Sequence, residues 1–316
     1  MIPISWLQNA PQGLAGKVLK TPLTYDAQED MYLKWENQQA TGSFKARGAL
    51  NKVLNLQRWE QERGLVTASA GNHGQGVALA GKLVGAPVKV FVSEHAVRAK
   101  IEAMRSLGAE VHLVPGGYGE AEKAGLAYAK SSGATWVSAY NDAQIIAGQA
   151  TLGFEILQER PELGDATWVV PVGGGGLISG IGAALEASRV KANLVGVQSE
   201  ASPFMHALYR RGTQEGVKEF DSLADGLAGP VEEGSSTISL VKKYVHDFIL
   251  VSEDEIKQSI AYAWRKYGKQ IEGAAATALA AILSGKVASR PALAIISGGN
   301  IQPEVHAKII NGEFDG

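Results

Sequence analysis

Short apolar runs, most of them rich in β-branched residues, recur along the chain, and most are followed by a glycine-rich turn and a stretch of helical periodicity. The pattern predicts strands at residues 65–69, 88–94, 109–115, 167–172, 194–200 and 292–296. A helix is predicted at 99–107, and Val77, Ala80, Gly81 and Val84 form one helical face. Apolar strands that alternate with helices are typical of a parallel sheet covered on both faces. We therefore predict an α/β fold.

Two blocks of alternating strands and helices, near residues 65–140 and 165–300, predict two lobes, each with a helix-covered, mostly parallel sheet. We place a small domain at 54–144 and a large domain at 1–53 together with 145–316. Ligands of such folds bind beyond the carboxyl ends of the strands. The glycine-rich turns fall at those ends, so we expect them to converge on one crevice.

The composition narrows the classes of function. Hydrophobic residues make up 45% and charged residues 20%, and the net charge of −2 offers no basic surface for nucleic acid or an anionic membrane. The absence of cysteine excludes disulfides and thiolate chemistry. No leader is visible, and no apolar run approaches the about 20 residues of a membrane span, so we expect a cytoplasmic location.

Lys45 stands out in 41-TGSFKARGA-49 because it lies between Phe44 and Ala46 in a run flanked by glycines. The helical spacing that follows, with Thr41 and Ser43 as caps, places it in the first turn of a helix. A cation is disfavoured there, and a lysine beside an apolar side chain loses its proton more easily. The resulting amine can form a Schiff base with an aldehyde. The alternative is an ordinary exposed lysine, the more common case for a lysine considered alone.

Four consecutive glycines, Gly173, Gly174, Gly175 and Gly176, follow an apolar strand and precede a helix. Their main-chain N–H groups can point into one concavity beside the positive end of the helix dipole, which suits a phosphate. The alternative is a tight turn, for which one or two glycines would suffice. The run matches neither the dinucleotide fingerprint nor the P-loop.

Two further turns carry candidate ligand contacts. In 68-ASAGNHG-74, Ser69, Asn72 and the following N–H groups can hold a carboxylate. His73 is either a capping or core histidine or a substrate contact. Ser297 ends an apolar strand before two glycines, where its hydroxyl either binds a ligand atom or initiates a turn. The six histidines form no zinc motif, and no Gly-x-Ser-x-Gly elbow is present.

Six colinear motifs resemble the serine/threonine dehydratase and serine racemase family, whose members are fold-type II pyridoxal-phosphate enzymes with a tryptophan synthase β-like fold. The motifs cover nearly the whole chain: 34-KWENQQATGSFKARGA-49, 68-ASAGNHGQGVA-78, 147-AGQAT-151, 171-PVGGGGLISG-180, 224-ADG-226 and 297-SGGN-300. The chain ends soon after the last motif, which predicts a catalytic-only enzyme, and the family analogy implies a homodimer.

The resemblance implies a role for each motif. Lys45 matches the lysine that binds the cofactor covalently, Phe44 the residue beside its ring, and Asn72 the partner of its phenolic oxygen. Ser297 matches the partner of the pyridine nitrogen, and the phosphate loop is Gly173, Gly174, Gly175, Gly176 and Leu177. The loop that grips the substrate carboxylate, in the small domain, is Ser69, Ala70, Gly71, Asn72 and His73. The large domain is then the cofactor-binding domain.

The implied reaction is β-elimination of a 3-hydroxy amino acid, L-threonine and/or L-serine, to a 2-oxo acid and ammonia. A serine at the pyridine nitrogen leaves the ring a weaker electron sink than a carboxylate would, which suits elimination, and Lys45 is placed to remove the Cα proton. Racemases of the family carry a serine where this chain has Ala70, which has no proton to give. The resemblance therefore favours a dehydratase over a racemase.

Several alternatives stay open on the sequence. The substrate can instead be a bulkier or acidic 3-hydroxy amino acid such as phenylserine or hydroxyaspartate, since Asp142 and residues 116–119 lie near the family's substrate pocket. Besides the dehydratase and the racemase, a non-catalytic small-molecule binding protein on the same fold is a third hypothesis.

Glu200 matches a cation-binding glutamate of the family. The acidic residue expected six positions further on is replaced by a histidine, so binding of a divalent or monovalent cation is left open. Glu272 matches a glutamate often followed by proline, and here Gly273 follows.

Overall fold

The computed structural model describes residues 2–314, which form ten strands and thirteen α-helices. The strands are β1 (Leu23–Asp26), β2 (Met31–Trp35), β3 (Leu65–Ala68), β4 (Val88–Ser93), β5 (Glu110–Val114), β6 (Thr135–Trp136), β7 (Thr167–Pro171), β8 (Asn193–Ser199), β9 (Asp247–Val251) and β10 (Ala292–Ile296). The helices are α1 (Ile4–Leu14), α2 (Lys45–Leu54), α3 (Arg58–Arg63), α4 (Asn72–Val84), α5 (Arg98–Ser106), α6 (Tyr118–Ser132), α7 (Ala143–Glu159), α8 (Gly176–Ala187), α9 (Phe204–Arg211), α10 (Ser236–Tyr244), α11 (Glu253–Tyr267), α12 (Gly273–Leu283) and α13 (Pro303–Asn311).

The chain divides into two compact units. Unit 1 comprises the residues up to Val18 together with Lys45–Gln149, and unit 2 comprises Leu19–Phe44 together with the residues from Ala150 onward. The predicted small domain, 54–144, lies within unit 1. The structure also places residues 2–18, 45–53 and 145–149 in unit 1, whereas the sequence pattern assigned them to the large domain. Residues 1, 315 and 316 of that predicted domain lie outside the described residues.

Helix packing explains why residues 45–53 belong to unit 1. Helix α2 packs along α4 and against α1. Gly76 of α4 makes the approach close, because a Cβ at that position would lie 3.1 Å from the main-chain oxygen of Lys45. A packing contact between two helices far apart in sequence leaves no mark in local composition, so the boundary could not be read from the sequence.

Unit 1 is built on a four-stranded parallel sheet in the order β5-β4-β3-β6. Strand β3 is buried along its whole length, as expected for a central strand of a covered parallel sheet. Helix α6 packs on β3 and β4. A separate buried cluster, which includes Leu65, Val77 and Val90, joins the sheet to α4.

Unit 2 contains a six-stranded sheet in the order β1-β2-β10-β7-β8-β9, parallel except for the β1–β2 hairpin at one edge. Strands β7 and β10 are fully buried neighbours. The alanine-rich helix α12 packs on both of them with almost every residue buried. The predicted α/β fold with mostly parallel sheets is therefore confirmed, while the hairpin, β6 and β9 were not predicted.

No helix in the described part of the chain is both long and apolar enough to span a bilayer. A spanning helix needs about 20 mostly apolar residues. The longest described helix, α7, has 17 residues.

Candidate active site

Lys45 is the first residue of α2, so the predicted first-turn position is confirmed. Its side chain is half-buried, and its Nζ donates a hydrogen bond of 2.9 Å to the main-chain oxygen of Ala139. This lysine is therefore not an ordinary exposed one. The predicted capping by Thr41 and Ser43 was wrong, because both hydroxyls are buried and make no hydrogen bond within residues 2–314.

The predicted carboxylate loop of unit 1 connects β3 to α4. Ser69, Ala70 and Gly71 lie between the two elements and are half-buried, and α4 begins at Asn72. The hydroxyl of Ser69 accepts a hydrogen bond from the Gly71 N–H at 3.2 Å, which holds the turn. The first N–H groups of any α-helix lack intrahelical acceptors. The loop thus leads into a helix N-terminus that suits an anion.

His73 occupies a different place from the rest of this loop. Its ring is buried, and Nε2 lies 3.0 Å from the main-chain oxygen of Val137. Because a carbonyl only accepts, Nε2 carries the hydrogen. Burial, together with the positive charge of Lys45, lowers the pKa of His73 from 6.5 to about 3. The ring is therefore a neutral core histidine, and only the main-chain N–H of His73 can contribute to binding a carboxylate.

The buried neutral His73 is expected to make stability depend on pH. The unfolded chain protonates His73 below pH 6.5, whereas the folded chain protonates it only near pH 3. Between these two pH values the unfolded state binds more protons, so the free energy of unfolding falls as the pH falls. Between pH 6.5 and 5 the loss amounts to about 2 kcal/mol. His73→Gln keeps an N–H donor but does not titrate, so it should lose about 2 kcal/mol less than the native chain. Urea unfolding of both proteins at pH 7 and 5 measures this, and parallel losses would contradict it.

The glycine turn of unit 2 follows β7 and leads into α8. Gly175 has φ +84°, a left-handed conformation that favours glycine. Space favours glycine at 173, because a Cβ there would make a tight approach of 3.0 Å to the Cα of Leu227. The Thr237 hydroxyl donates to the Gly174 oxygen at 2.7 Å and holds the turn in place. The turn therefore provides main chain without side chains at the start of a twelve-residue helix, with Gly173 and Gly174 half-buried and Gly175 and Gly176 buried. Leu177 is buried in the first turn of this helix.

Phe44 and Ser297, two of the three residues predicted to contact the cofactor ring, are brought together in unit 2. Ser297 is buried just beyond β10, and its main-chain oxygen accepts from the Phe44 N–H at 3.0 Å. The pairing continues as a bridge between Ser43 and Gly298. The Asn300 side chain adds a hydrogen bond of 2.8 Å to the oxygen of Thr41. The SGGN motif thus holds residues 41–44, which directly precede Lys45.

Gly273 was singled out only as a departure from the family pattern, and the structure supplies its reason. A Cβ at Gly273 would lie 2.0 Å from the main-chain oxygen of Leu223, so neither alanine nor proline fits without movement. The neighbouring Glu272 donates its N–H to the Gly298 oxygen at 3.1 Å, and its carboxylate accepts from the Asn300 N–H at 3.2 Å. The start of α12 therefore connects the 223–227 loop to the SGGN motif.

The remaining sequence candidates have structural explanations. Asp142 accepts from the Gln144 N–H at 2.7 Å and pairs with Lys52 at 2.7 Å, so it caps α7. Residues 116 and 117 lead into α6, and residues 118 and 119 are its first two residues. Glu200 is exposed, and Lys286 lies 3.9 Å from its carboxylate. Within residues 2–314, no three His, Asp or Glu side chains come together as a metal-binding group.

The family model described as "Pyridoxal-phosphate dependent enzyme" matches residues 16–298. This chain belongs to that family. Among curated relatives of this pyridoxal-phosphate dependent enzyme, the L-threonine ammonia-lyase of Thermotoga maritima is 41% identical over 98% of this chain and 79% of its own. The catabolic L-threonine dehydratase TdcB of Escherichia coli is 36% identical over 95% of this chain and 93% of its own.

Two solved structures have the same fold as this pyridoxal-phosphate dependent enzyme. The processed form of threonine deaminase isoform 2 from Solanum lycopersicum has a TM-score of 0.88 at 28% identity, covering 97% of this chain and 92% of its own. Maize serine racemase has a TM-score of 0.90 at 26% identity, covering 98% and 97%. The fold is thus shared by proteins named for deamination and for racemisation, so the fold alone does not choose between them.

The residues present fit the cofactor. Its aldehyde needs an amine, and Lys45 provides one on a half-buried side chain. Its phosphate needs N–H donors that side chains do not cover, and the run from Gly173 to Gly176 supplies main chain without side chains at the start of α8. This pyridoxal-phosphate dependent enzyme therefore carries both kinds of group that its cofactor requires.

Proposed function

We propose that this pyridoxal-phosphate dependent enzyme is an ammonia-lyase that converts L-threonine, L-serine or both to a 2-oxo acid and ammonia. The names of the Thermotoga maritima and Escherichia coli relatives support the threonine reaction. The observation that carries the choice against racemisation is Ala70, which occupies the carboxylate loop without an ionisable or hydroxyl group. Reversal of configuration needs a group that takes the Cα proton on one face of the substrate and a group that returns a proton on the other face.

The proposal gives each motif a task. The cofactor, when bound, supplies an electron sink for the bond to Cα. The Lys45 amine holds the cofactor and, once released, takes the Cα proton. The N–H groups from Gly173 to Leu177 hold the phosphate, and Phe44, Asn72 and Ser297 contact the ring. The loop from Ser69 to His73 holds the substrate carboxylate, with His73 acting through its main chain. In this proposal unit 2 supplies Phe44, Ser297 and the phosphate loop, and unit 1 supplies Lys45 and the carboxylate loop.

The test is 2-oxo acid release from a panel of 3-hydroxy amino acids. The panel contains both enantiomers of threonine and serine, together with phenylserine and hydroxyaspartate. Release from L-threonine or L-serine is the expected result, and the relative kcat/KM values rank the substrates. Release confined to phenylserine or hydroxyaspartate would move the assignment to that substrate. No release from any of them would overturn the lyase assignment, and an absent cofactor absorption band would favour a binding protein.

Ala70→Ser is expected to add racemase activity. A hydroxyl at this position can exchange a proton on the substrate face opposite Lys45, which the native chain cannot do. The variant should interconvert the serine enantiomers, while the native chain shows no interconversion. Chiral chromatography of unreacted serine measures this. Ala70→Gly changes the same half-buried position without adding a hydroxyl, and racemisation by the glycine variant, or none by the serine variant, would contradict the role of Ala70.

Three further parts of the proposal concern the protein as a whole. Activity on serine as well as threonine is tested by the same substrate panel. The homodimer implied by the family resemblance is tested by light scattering of the holoenzyme. The cytoplasmic location expected from the sequence is tested by cell fractionation. A monomer in light scattering would remove the dimer without affecting the reaction assigned above.

A further inference from the structure

Residues Val137 to Ala139, here called the 137–139 segment, connect the site elements of unit 1 through main-chain carbonyls. The Val137 oxygen accepts from the Thr67 hydroxyl at 2.9 Å and from the His73 ring at 3.0 Å. Two residues on, the Ala139 oxygen accepts from the Lys45 amine at 2.9 Å. One short stretch of backbone thus contacts a residue of β3, the ring of His73 and the lysine.

The position of this segment is set by buried interactions. The Val137 N–H donates to the Val66 oxygen at 2.8 Å, and the two donors to its oxygen occupy both lone pairs of that carbonyl. Thr67 is only 1% exposed and His73 3%. The Ser138 hydroxyl accepts from the Asn141 N–H at 3.0 Å and fixes the turn that follows. Buried hydrogen bonds are strong and hold their geometry, so the place of the Ala139 carbonyl depends on these contacts.

We propose that Thr67 is a positioning residue for the reaction. By holding Val137, it keeps the Ala139 carbonyl at the point where the released Lys45 amine docks. This inference rests on the proposed function, in which that amine takes the Cα proton. The proton moves from Cα to Nζ, and the electron pair of the C–H bond stays with the substrate. The carbonyl then accepts a hydrogen bond from the ammonium group, which stabilises the product of the transfer.

Substitutions that remove either the hydroxyl or the methyl group of Thr67 distinguish this role from simple packing. Thr67→Val keeps the shape of the side chain and removes the donor, whereas Thr67→Ser keeps the donor and removes a methyl group. We expect Thr67→Val to lower kcat about 10- to 100-fold, because a small displacement of a catalytic group has a cost of this order, with KM changed less than about twofold. Thr67→Ser should stay within about threefold of the native kcat. Thr167→Val in β7 is the matched control, since it also removes a buried strand hydroxyl, one that accepts from Asn193.

A second readout needs neither cofactor nor substrate. The rate at which the Lys45 amine reacts with trinitrobenzenesulfonate in the cofactor-free chain is followed from pH 6 to 11 by peptide mass spectrometry. A hydrogen bond to the carbonyl favours the charged amine, so Thr67→Val should lower the midpoint of this profile by about 0.5–1 pH unit. Thr67→Ser and Thr167→Val should keep the native midpoint. His73, whose pKa responds to the Lys45 charge, stays neutral throughout this range.

The outcomes distinguish the two proposals. A native midpoint and native kcat in Thr67→Val would overturn the positioning role, as would a rise in KM as large as the fall in kcat. The native chain can release no 2-oxo acid while Thr67→Val still shifts the midpoint of the Lys45 profile. That result would support the Ala139 carbonyl as the acceptor for the Lys45 amine and would overturn the lyase assignment. Ser138→Ala is measured alongside, in case Thr67→Val fails to fold. Because Ser138 holds the same segment, we expect a smaller shift in the same direction, and no shift would contradict the proposal.

Discussion

Lys45→Ala is expected to reduce 2-oxo acid release from L-threonine or L-serine by at least about 10³-fold. The variant loses the amine that holds the cofactor and the base that takes the Cα proton, and the loss of a general base alone costs about 10²–10⁴-fold. Because the helix begins at this residue, alanine preserves the local structure. The cofactor absorption band that depends on the lysine should disappear in the same variant.

The control for this prediction is Lys82→Ala. Lys82 also lies on a helix of unit 1, near the end of α4, but its side chain is exposed. We expect native activity and a native absorption spectrum from it. More than a tenth of the native rate in Lys45→Ala, with the cofactor band intact, would remove Lys45 from the chemistry and return it to the class of structural lysines.

Gly273→Ala is expected to lower the stability of the fold and to weaken cofactor binding. The new Cβ would lie 2.0 Å from the Leu223 oxygen and 2.3 Å from its carbonyl carbon, so main chain must move. Overpacking of this kind costs about 1–3 kcal/mol of stability. The moving loop ends at Leu227, which packs on Gly173, so we also expect about tenfold weaker binding of the cofactor, which corresponds to about 1.4 kcal/mol.

Two measurements check this prediction, namely the thermal midpoint of unfolding and the dissociation constant of the cofactor from its absorbance. Gly13→Ala in α1 is the matched control, because a Cβ at Gly13 meets nothing within 4 Å. That control should be neutral or slightly more stable, since alanine favours a helix. Gly273→Pro restores the residue frequent in the family but carries the same Cβ, so it should be at least as damaging as alanine. Native stability and native cofactor affinity in Gly273→Ala would contradict the prediction, because the loop at Leu223 would then move without a loss of stability.

Much of the fold follows from local sequence. Strands β3, β7 and β10 were predictable because a continuous apolar run suits a strand buried on both faces, and the structure buries all three completely. The first-turn position of Lys45 was predictable because helical spacing follows it directly. The β1–β2 hairpin was missed although Met31, Leu33 and Trp35 alternate along β2, because both strands are short and precede the two blocks of alternating strands and helices.

The candidate site also has a part that local sequence predicts and a part that it does not. The sequence by itself determined which residues are candidates for the chemistry, because the lysine, the tetraglycine run and the Ser-Gly-Gly-Asn end are recognisable within a few neighbours. Only the tertiary structure decided what surrounds them. It buried the ring of His73 against Val137, and it placed Leu223 where Gly273 must lack a side chain. It also brought the Ala139 carbonyl to Lys45 across 94 positions of sequence. Such contacts join segments far apart in the chain, and their geometry follows from how whole elements pack, which local residue patterns do not record.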